Sequence, residues 1–129
     1  MANRKFTILF IGWMLVITIS SLFSFSVEGE QRIWFPNMDN VVHFTFHFFI
    51  VLLGALASKE HLVQDWPWRK KIRSLLLLSI VYGLLIEFLQ WVMPYGRAAE
   101  VWDVLANFSG ALVGGLLIQK SQSLIDRLK

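Results

Sequence analysis

Cysteine is absent from this 129-residue sequence, which excludes a disulfide framework, a thiolate zinc site and a redox-active thiol. Charge is also scarce, because charged residues make up 16% of the chain and hydrophobic residues 56%. A soluble domain of this length would need more polar surface to cover its core. The net charge of +3 is carried mainly near the ends of apolar runs, which does not indicate binding to nucleic acid. The composition is typical of a polytopic membrane protein.

Four long apolar segments run through the chain. Each is close to the twenty residues that a helix needs to cross about 30 Å of hydrocarbon. All four are predicted to be helices, because a membrane-spanning segment must satisfy its own backbone hydrogen bonds. The predicted architecture is an all-α integral membrane bundle of four transmembrane helices, forming one domain over residues 1–129. The predicted spans cover residues 6–25, 39–58, 72–93 and 101–118.

The first segment also has features of a secretory signal peptide, because Arg4 and Lys5 precede its apolar run. Two observations argue against cleavage. The segment is as long as a full span, and Ser24-Phe25-Ser26 is a poor cleavage site for signal peptidase. We therefore expect the segment to stay in the protein.

The distribution of Lys and Arg predicts the orientation of the bundle. The first and third connections carry only Arg32 and Arg97, respectively. The other basic residues lie at the N-terminus, around the middle connection and at the C-terminus: Arg4, Lys5, Lys59, Arg69, Lys70, Lys71, Arg73, Lys120, Arg127 and Lys129. By the positive-inside rule, both termini and the middle connection are predicted to be cytoplasmic.

Polar side chains inside the apolar segments are expensive in hydrocarbon, so each is a candidate for a functional site. Spacings of three and four residues place them on one face of each helix. The three stripes are Asp39, His43, His47 and Gly54; Ser79, Gly83, Glu87 and Gln90; and Asp103, Asn107, Gly110 and Gly114. With the predicted orientation, the polar end of each stripe lies in the outer leaflet. We expect a polar pocket there, with close packing through the small residues further in.

Three motifs resemble those of the VanZ-like family of membrane proteins. Met38-Asp39-Asn40-Val41-Val42-His43-Phe44 resembles the family's Asp-Lys-x-x-His-Phe, and Glu87-Phe88-Leu89-Gln90 resembles its Glu-x-x-Gln. The third motif is similar to Gly-Arg … Asp-x-x-x-Asn-x-x-Gly-x-x-x-Gly and comprises Gly96, Arg97, Asp103, Asn107, Gly110 and Gly114. The sequence departs from the family at Asn40, where Lys is usual, and at His47, where an aromatic residue is common.

The resemblance implies a small multi-pass protein of the bacterial cytoplasmic (inner) membrane. The family's founding member is associated with low-level resistance to teicoplanin, a lipoglycopeptide antibiotic. A chain with one such domain need not share that role.

The candidate site residues each have a functional and a structural interpretation. Glu87, His43 and Asp103 are candidates for acid–base groups, and the alternative is that they hold helices together. Asp39 and Asp103 are also suited to capping the helices that they open. Arg97 would clamp a phosphate or carboxylate, or close a salt bridge. Gln90 and Asn107 complete the set of predicted ligand-binding residues, with Asn107 too deep in its helix for capping.

Metal binding is a weaker hypothesis. His43 and His47 form His-x-x-x-His, which places two rings on one helix face. The Glu of a metalloprotease motif is missing, because Thr45 and Phe46 occupy two of the positions between the histidines. Glu87 or Asp103 would have to supply a third ligand. We expect neither a metal nor a cofactor.

Three functions fit these residues. In the favoured one, the outer pocket recognises a lipid or a lipid-linked or acylated small molecule, with Arg97 on its anionic group. In the second, the protein is an enzyme that acts on a lipid-linked substrate through Glu87, His43 and Asp103. In the third, Glu87 carries protons in a coupled transporter. Membrane lipids are the expected partners, nucleic acid is not, and a homo-oligomer stays open.

Overall fold

The computed structural model describes residues 4–22, 38–60, 65–92 and 101–128. All regular structure in these residues is helical. The helices are α1 (Lys5–Leu22), α2 (Met38–Ser58), α3 (Trp68–Val92) and α4 (Val101–Leu128). Each is long and apolar enough to cross a membrane. The predicted all-α membrane bundle is confirmed, whereas the cytoplasmic placement of its termini stays a prediction.

Two helix boundaries differ from those predicted by hydropathy. α3 begins about one turn before the predicted start at Ile72, because Pro67 opens it and its carbonyl accepts from the backbone N–H groups of Lys70 (3.0 Å) and Lys71 (3.1 Å). α4 continues well past Ile118, through a polar stretch that contains neither glycine nor proline. A helix therefore does not stop where its apolar residues stop. The predicted end of the first span lies outside the described residues.

Helix α2 is the centre of the bundle and packs against the other three, most extensively against α4. Glycines allow this close approach. A Cβ atom at Gly110 would overlap the backbone carbonyl of Phe44, and one at Gly114 would lie 2.9 Å from the carbonyl oxygen of Phe48. The predicted Gly-x-x-x-Gly interface is thus a contact of α4 with the backbone of α2.

Helix α1 packs against α2 and α3 but not against α4 in the described residues. Its contacts within the apolar region include hydrogen bonds to backbone carbonyls. The indole nitrogen of Trp13 donates to the carbonyl of Phe46 across 3.0 Å, and the Tyr82 hydroxyl contacts the Thr18 hydroxyl and the carbonyl of Met14. α1 is therefore a peripheral helix that supports the other three.

The outer surface of the bundle is apolar on every helix. Large hydrophobic side chains such as Ile8, Val41, Leu77 and Val101 are mostly exposed. A water-soluble protein rarely exposes apolar area on this scale. In a bilayer these side chains contact lipid, while the polar residues of the three stripes whose side chains the structure describes face inward.

Candidate functional site

Three ionisable side chains from three helices converge at one end of the bundle. His43 lies in the second turn of α2, Glu87 near the end of α3, and Asp103 in the first turn of α4. One ligand atom of each lies within 4.8 Å of the others. Glu87 and Asp103 are buried, and the side chain of His43 is 13% exposed. We call these three residues and Asn107 the polar cluster, and the end of the bundle that holds them the cluster end.

Both ring nitrogens of the His43 imidazole face polar groups of α4. Nδ1 lies 3.0 Å from Oδ1 of Asn107, and Nε2 lies 3.6 Å from Oδ2 of Asp103. An amide oxygen only accepts, so Nδ1 carries a proton and donates it. Nε2 then either carries a second proton and pairs with the carboxylate of Asp103, or stays available as an acceptor. The ring is thus oriented for proton exchange or for hydrogen bonding to a ligand.

The position of Asp103 is compatible with both interpretations that the sequence left open. It lies in the first turn of α4, where the partial positive charge of the helix N-terminus stabilises a carboxylate. Its Oδ2 atom also faces His43. A residue at a helix start therefore contributes to the cluster because α4 begins beside the second turn of α2.

The second histidine of α2 has different partners. His47 is buried, and its Nδ1 lies 2.6 Å from the hydroxyl oxygen of Ser79 on α3. Gly83 makes room for it, because a Cβ atom there would lie 3.0 Å from both His47 Cε1 and the Asn107 side-chain nitrogen. His47 is hence a link between α2 and α3. The sequence placed Ser79 and Gly83 on the right face but did not identify them as its partners.

The ligands available to a metal ion differ from the pair His43 and His47 that the sequence pattern suggested. Within the described part of the chain, the group with suitable spacing is His43, Glu87 and Asp103. One imidazole with two carboxylates suits zinc, manganese or ferrous iron. Our expectation that the protein holds no metal stays a prediction.

The candidate Gln90 and the hydroxyl of Ser109 point elsewhere. The amide nitrogen of Gln90 donates to the carbonyl of Ser21 across 2.8 Å, which links α3 to α1. Ser109 is exposed, and its hydroxyl donates to the carbonyl of Leu105 in its own helix. The side chain of Asp39 and the whole of Arg97 lie outside the described residues.

The cationic side chains of the described residues lie at one end of the bundle. The cluster end holds two carboxylates and an imidazole, whereas the described Lys and Arg side chains lie at the opposite end. We call this the basic end. Its cationic residues are Arg4, Lys5, Lys59, Arg69, Lys70, Lys71, Arg73 and Lys120.

Comparison with known proteins gives one match. The family model described as VanZ/LLP1 matches residues 5–122, which includes every described residue of the cluster. Neither the curated proteins nor the solved structures yield a match. The match covers most of the chain and is consistent with its multi-pass helical architecture. The chain therefore belongs to the VanZ/LLP1 family.

Proposed function

We propose that this protein recognises a lipid-linked or acylated ligand through the polar cluster. The observation that carries the proposal is the convergence of His43, Glu87 and Asp103 from three helices to within 4.8 Å of one another. Ionisable groups in apolar helices are costly, and they are commonly retained where they bind or react. Links between helices can be made with neutral groups, as Tyr82 and Gln90 do here.

The cluster suits the polar part of such a ligand. Carboxylates and an imidazole accept hydrogen bonds from hydroxyl and ammonium groups, and the amide of Asn107 fixes the orientation of the imidazole. Arg97, ten residues after Glu87 in the sequence, is the cation that would meet an anionic group of the same ligand. A sugar, amino or phosphate-bearing head group matches this combination.

The surface beside the cluster suits the apolar part. Phe88, Trp91 and Trp102 are 56%, 69% and 68% exposed and lie close in sequence to Glu87 and Asp103. The rings of Phe88 and Trp91 contact each other at a centroid distance of 6.2 Å. An acyl chain in the bilayer would lie against these rings while its head group reaches the cluster.

Family membership connects this ligand class with teicoplanin, which carries an acyl chain. With the orientation predicted from Lys and Arg, the cluster faces the outer leaflet of the bacterial inner membrane. That is the leaflet into which the acyl chain of an external lipoglycopeptide would insert. We therefore propose that the ligand is teicoplanin or an envelope lipid with a comparable polar head.

An enzymatic function is the second candidate, and the geometry of His43 favours it. The ring is held at Nδ1 by Asn107, its Nε2 faces Asp103, and the carboxyl group of Glu87 lies close by. This arrangement suits general acid–base catalysis on a lipid-linked substrate. Water would be the nucleophile. Cysteine is absent, Ser109 lies on the exposed face, and the hydroxyl of Ser79 is fully buried against His47.

The first experiment compares drug sensitivity in a susceptible Gram-positive host. The host expresses the wild type or one of three variants, Glu87→Gln, His43→Ala or Asp103→Asn, at equal membrane levels. Asp65→Asn is the matched control, because Asp65 is an exposed acid before α3 at the basic end. We expect protection against teicoplanin but not against vancomycin, which lacks the acyl chain. The protection should be lost in the three cluster variants and kept in the control.

Two results would contradict the proposal. An equally expressed wild type without any protection would remove the link to teicoplanin. Protection that survives all three cluster substitutions would show that the cluster is not the recognition site. A second assay, of ligand binding and turnover, distinguishes the enzymatic alternative. If the protein is an enzyme, Glu87→Gln should keep ligand binding but abolish turnover.

A further inference from the structure

A groove of about 320 Å³ lies between α1 and α3 at the basic end of the bundle, with α2 as its floor. α1 and α3 pack less extensively against each other than either packs against α2, which leaves space between them. Phe10 on α1 and Leu75 and Leu78 on α3 form its walls. Gly54 keeps the floor low, because a Cβ atom there would lie 2.5 Å from Cδ2 of Leu75 and 3.3 Å from Cε2 of Phe10.

Hydroxyl groups at the polar end of the groove already have acceptors within the protein. The Thr7 hydroxyl donates to Oε2 of Glu60 across 2.8 Å, and the Ser58 hydroxyl donates to the carbonyl of Ala55 across 2.7 Å. A hydroxyl has one proton to donate, so neither group is available as a donor to a bound head group.

The ammonium group of Lys71 at the same end also has surroundings of its own. Its Nζ lies 4.6 Å from the centre of the Trp68 ring, and the negative charge of Asp65 acts on it. The carboxylate of Glu60 lies against Thr7 at this end as well. Charges of both signs therefore meet here, so the polar end selects neither an anion nor a cation. Any preference of the groove for an occupant comes from its apolar part.

The apolar part of the groove opens sideways onto lipid. Leu75 and Leu78 lie one and two turns beyond Lys71 on α3, and Leu78 is 42% exposed on the outer surface of the bundle. Water is disfavoured in an apolar space, because each molecule needs two to four polar partners. An empty space would leave the side chains around it without dispersion contacts. Hydrocarbon is therefore the material that fills this part of the groove.

The size of the groove matches one hydrocarbon chain. Its volume of about 320 Å³ is roughly twice that of an apolar cavity of ~150 Å³ that holds benzene. A helix of a second copy is too large, because two turns of a helix about 10 Å in diameter fill roughly 850 Å³.

We propose that this groove binds one acyl chain of a phospholipid from the leaflet at the basic end. The chain lies between Phe10 and Leu78, over Gly54, and replaces the contact that α1 and α3 do not make with each other. The head group stays outside the groove, so neutral and anionic phospholipids bind equally well. The site is separate from the polar cluster and does not rest on the function proposed above.

The test is photo-crosslinking of the full-length chain in nanodiscs of dioleoyl phosphatidylcholine. A trace of phosphatidylcholine carries a diazirine in the middle of one acyl chain, and tandem mass spectrometry assigns the labelled residues. Leu75 and Leu77 are a matched pair, because they are the same residue type on one helix and differ in depth by about 3 Å. Leu77 is 62% exposed and does not line the groove, whereas Leu75 lines it and is only partly exposed.

Two variants complete the design. Ser74→Phe places a ring in the groove, because Ser74 lines it. Val81→Phe is the matched control, because it adds the same ring to α3 at an exposed position outside the groove.

We expect more label on Leu75 than on Leu77 in the wild type, which is the reverse of the order of their exposure. Ser74→Phe should reduce the label on Leu75 below that on Leu77, and Val81→Phe should leave the order unchanged. More label on Leu77 in the wild type overturns the proposal and does not depend on how any variant folds. Unchanged label on Leu75 in Ser74→Phe also overturns it, since the chain would then reach Leu75 from outside the groove. The same labelled chain on phosphatidylglycerol should give the same pattern, and label on Leu75 with phosphatidylglycerol alone would refute binding through the chain.

Discussion

His43 on α2 donates a hydrogen bond from Nδ1 to Oδ1 of Asn107 on α4 across 3.0 Å. This contact joins the two helices that pack most extensively, and it sets the direction in which Nε2 faces Asp103. It therefore serves both the stability of the bundle and the geometry of the polar cluster.

Replacing Asn107 by Leu should destabilise the protein, because the partly buried imidazole of His43 loses the acceptor of its Nδ1. Hydrogen bonds between membrane helices contribute about 0.6 to 1.7 kcal/mol, so we expect a loss of about 1 kcal/mol. Thermal unfolding in detergent, followed by circular dichroism, measures it. Ser109→Ala is the control, because that hydroxyl bonds only within α4. Equal unfolding temperatures for the two variants would refute the role given to this contact.

Gly110→Ala should loosen the contact between α2 and α4. The added methyl group would overlap the backbone carbonyl of Phe44, which cannot move away as a flexible side chain can. We expect a loss of about 1–3 kcal/mol, typical of overpacking. Gly12→Ala is the matched control, since nothing lies within 4 Å of a Cβ atom there. That change should be neutral or raise stability by up to about 1 kcal/mol through helix propensity. Urea or thermal denaturation of the two variants measures their free energies of unfolding. A smaller loss of stability in Gly110→Ala than in Gly12→Ala would contradict the close packing of α2 and α4.

Glu60 should control the order of the start of α1. Its carboxylate accepts from the backbone N–H groups of Phe6 (3.0 Å) and Thr7 (2.9 Å) and from the Thr7 hydroxyl (2.8 Å), although it lies just after α2. Glu60→Ala removes these acceptors, at a cost of about 1 kcal/mol for a lost helix cap. Hydrogen exchange should then accelerate about fivefold at the amides of residues 6 and 7. Glu60→Gln keeps one acceptor oxygen, so its exchange rates should lie between those of the wild type and those of Glu60→Ala. Unchanged exchange in the Ala variant would show that the cap is unimportant.

Gln90 should matter for stability rather than for ligand recognition. Its side-chain nitrogen donates to the carbonyl of Ser21, so Gln90→Leu breaks a link between α3 and α1 and leaves the His43–Asp103 contact in place. We expect a loss of about 1 kcal/mol in detergent, with protection against teicoplanin retained once membrane levels are matched. If Gln90→Leu at matched membrane levels loses as much protection as Glu87→Gln, Gln90 takes part in ligand binding after all.

Hydropathy was sufficient to predict four helices but not where α3 begins or where α4 ends. α3 and α4 extend beyond their apolar segments because helix formation depends on the backbone and on helix-breaking residues, whereas hydropathy detects only the hydrocarbon layer. Spacing also predicted the inward faces of α2, α3 and α4. His47, Glu87, Asp103 and Asn107 are all buried, as their positions in the stripes require.

The sequence could not predict which side chains contact each other between helices. His43 and His47 are equivalent in a helical pattern, yet one joins the cluster and the other bonds Ser79. Gln90 shares a face of α3 with Glu87, yet its side chain bonds Ser21 of α1, because a rotation of one helix by a fraction of a turn changes the neighbour that a side chain meets. In the sequence, Lys71 was one of several basic residues around the middle connection. Its burial follows from the early start of α3 beside α1.

The sequence by itself determined that the chain forms apolar helices and that α2, α3 and α4 each carry one polar face, because hydrocarbon tolerates only that arrangement of backbone and side chains. Tertiary structure alone decided which polar groups meet. The distances of 3.0 and 3.6 Å around His43 depend on the axial register and rotation of α2 against α4, which Gly110 and Gly114 permit by close packing on Phe44 and Phe48. Those two variables are properties of the packed bundle, so no single helix carries them in its sequence.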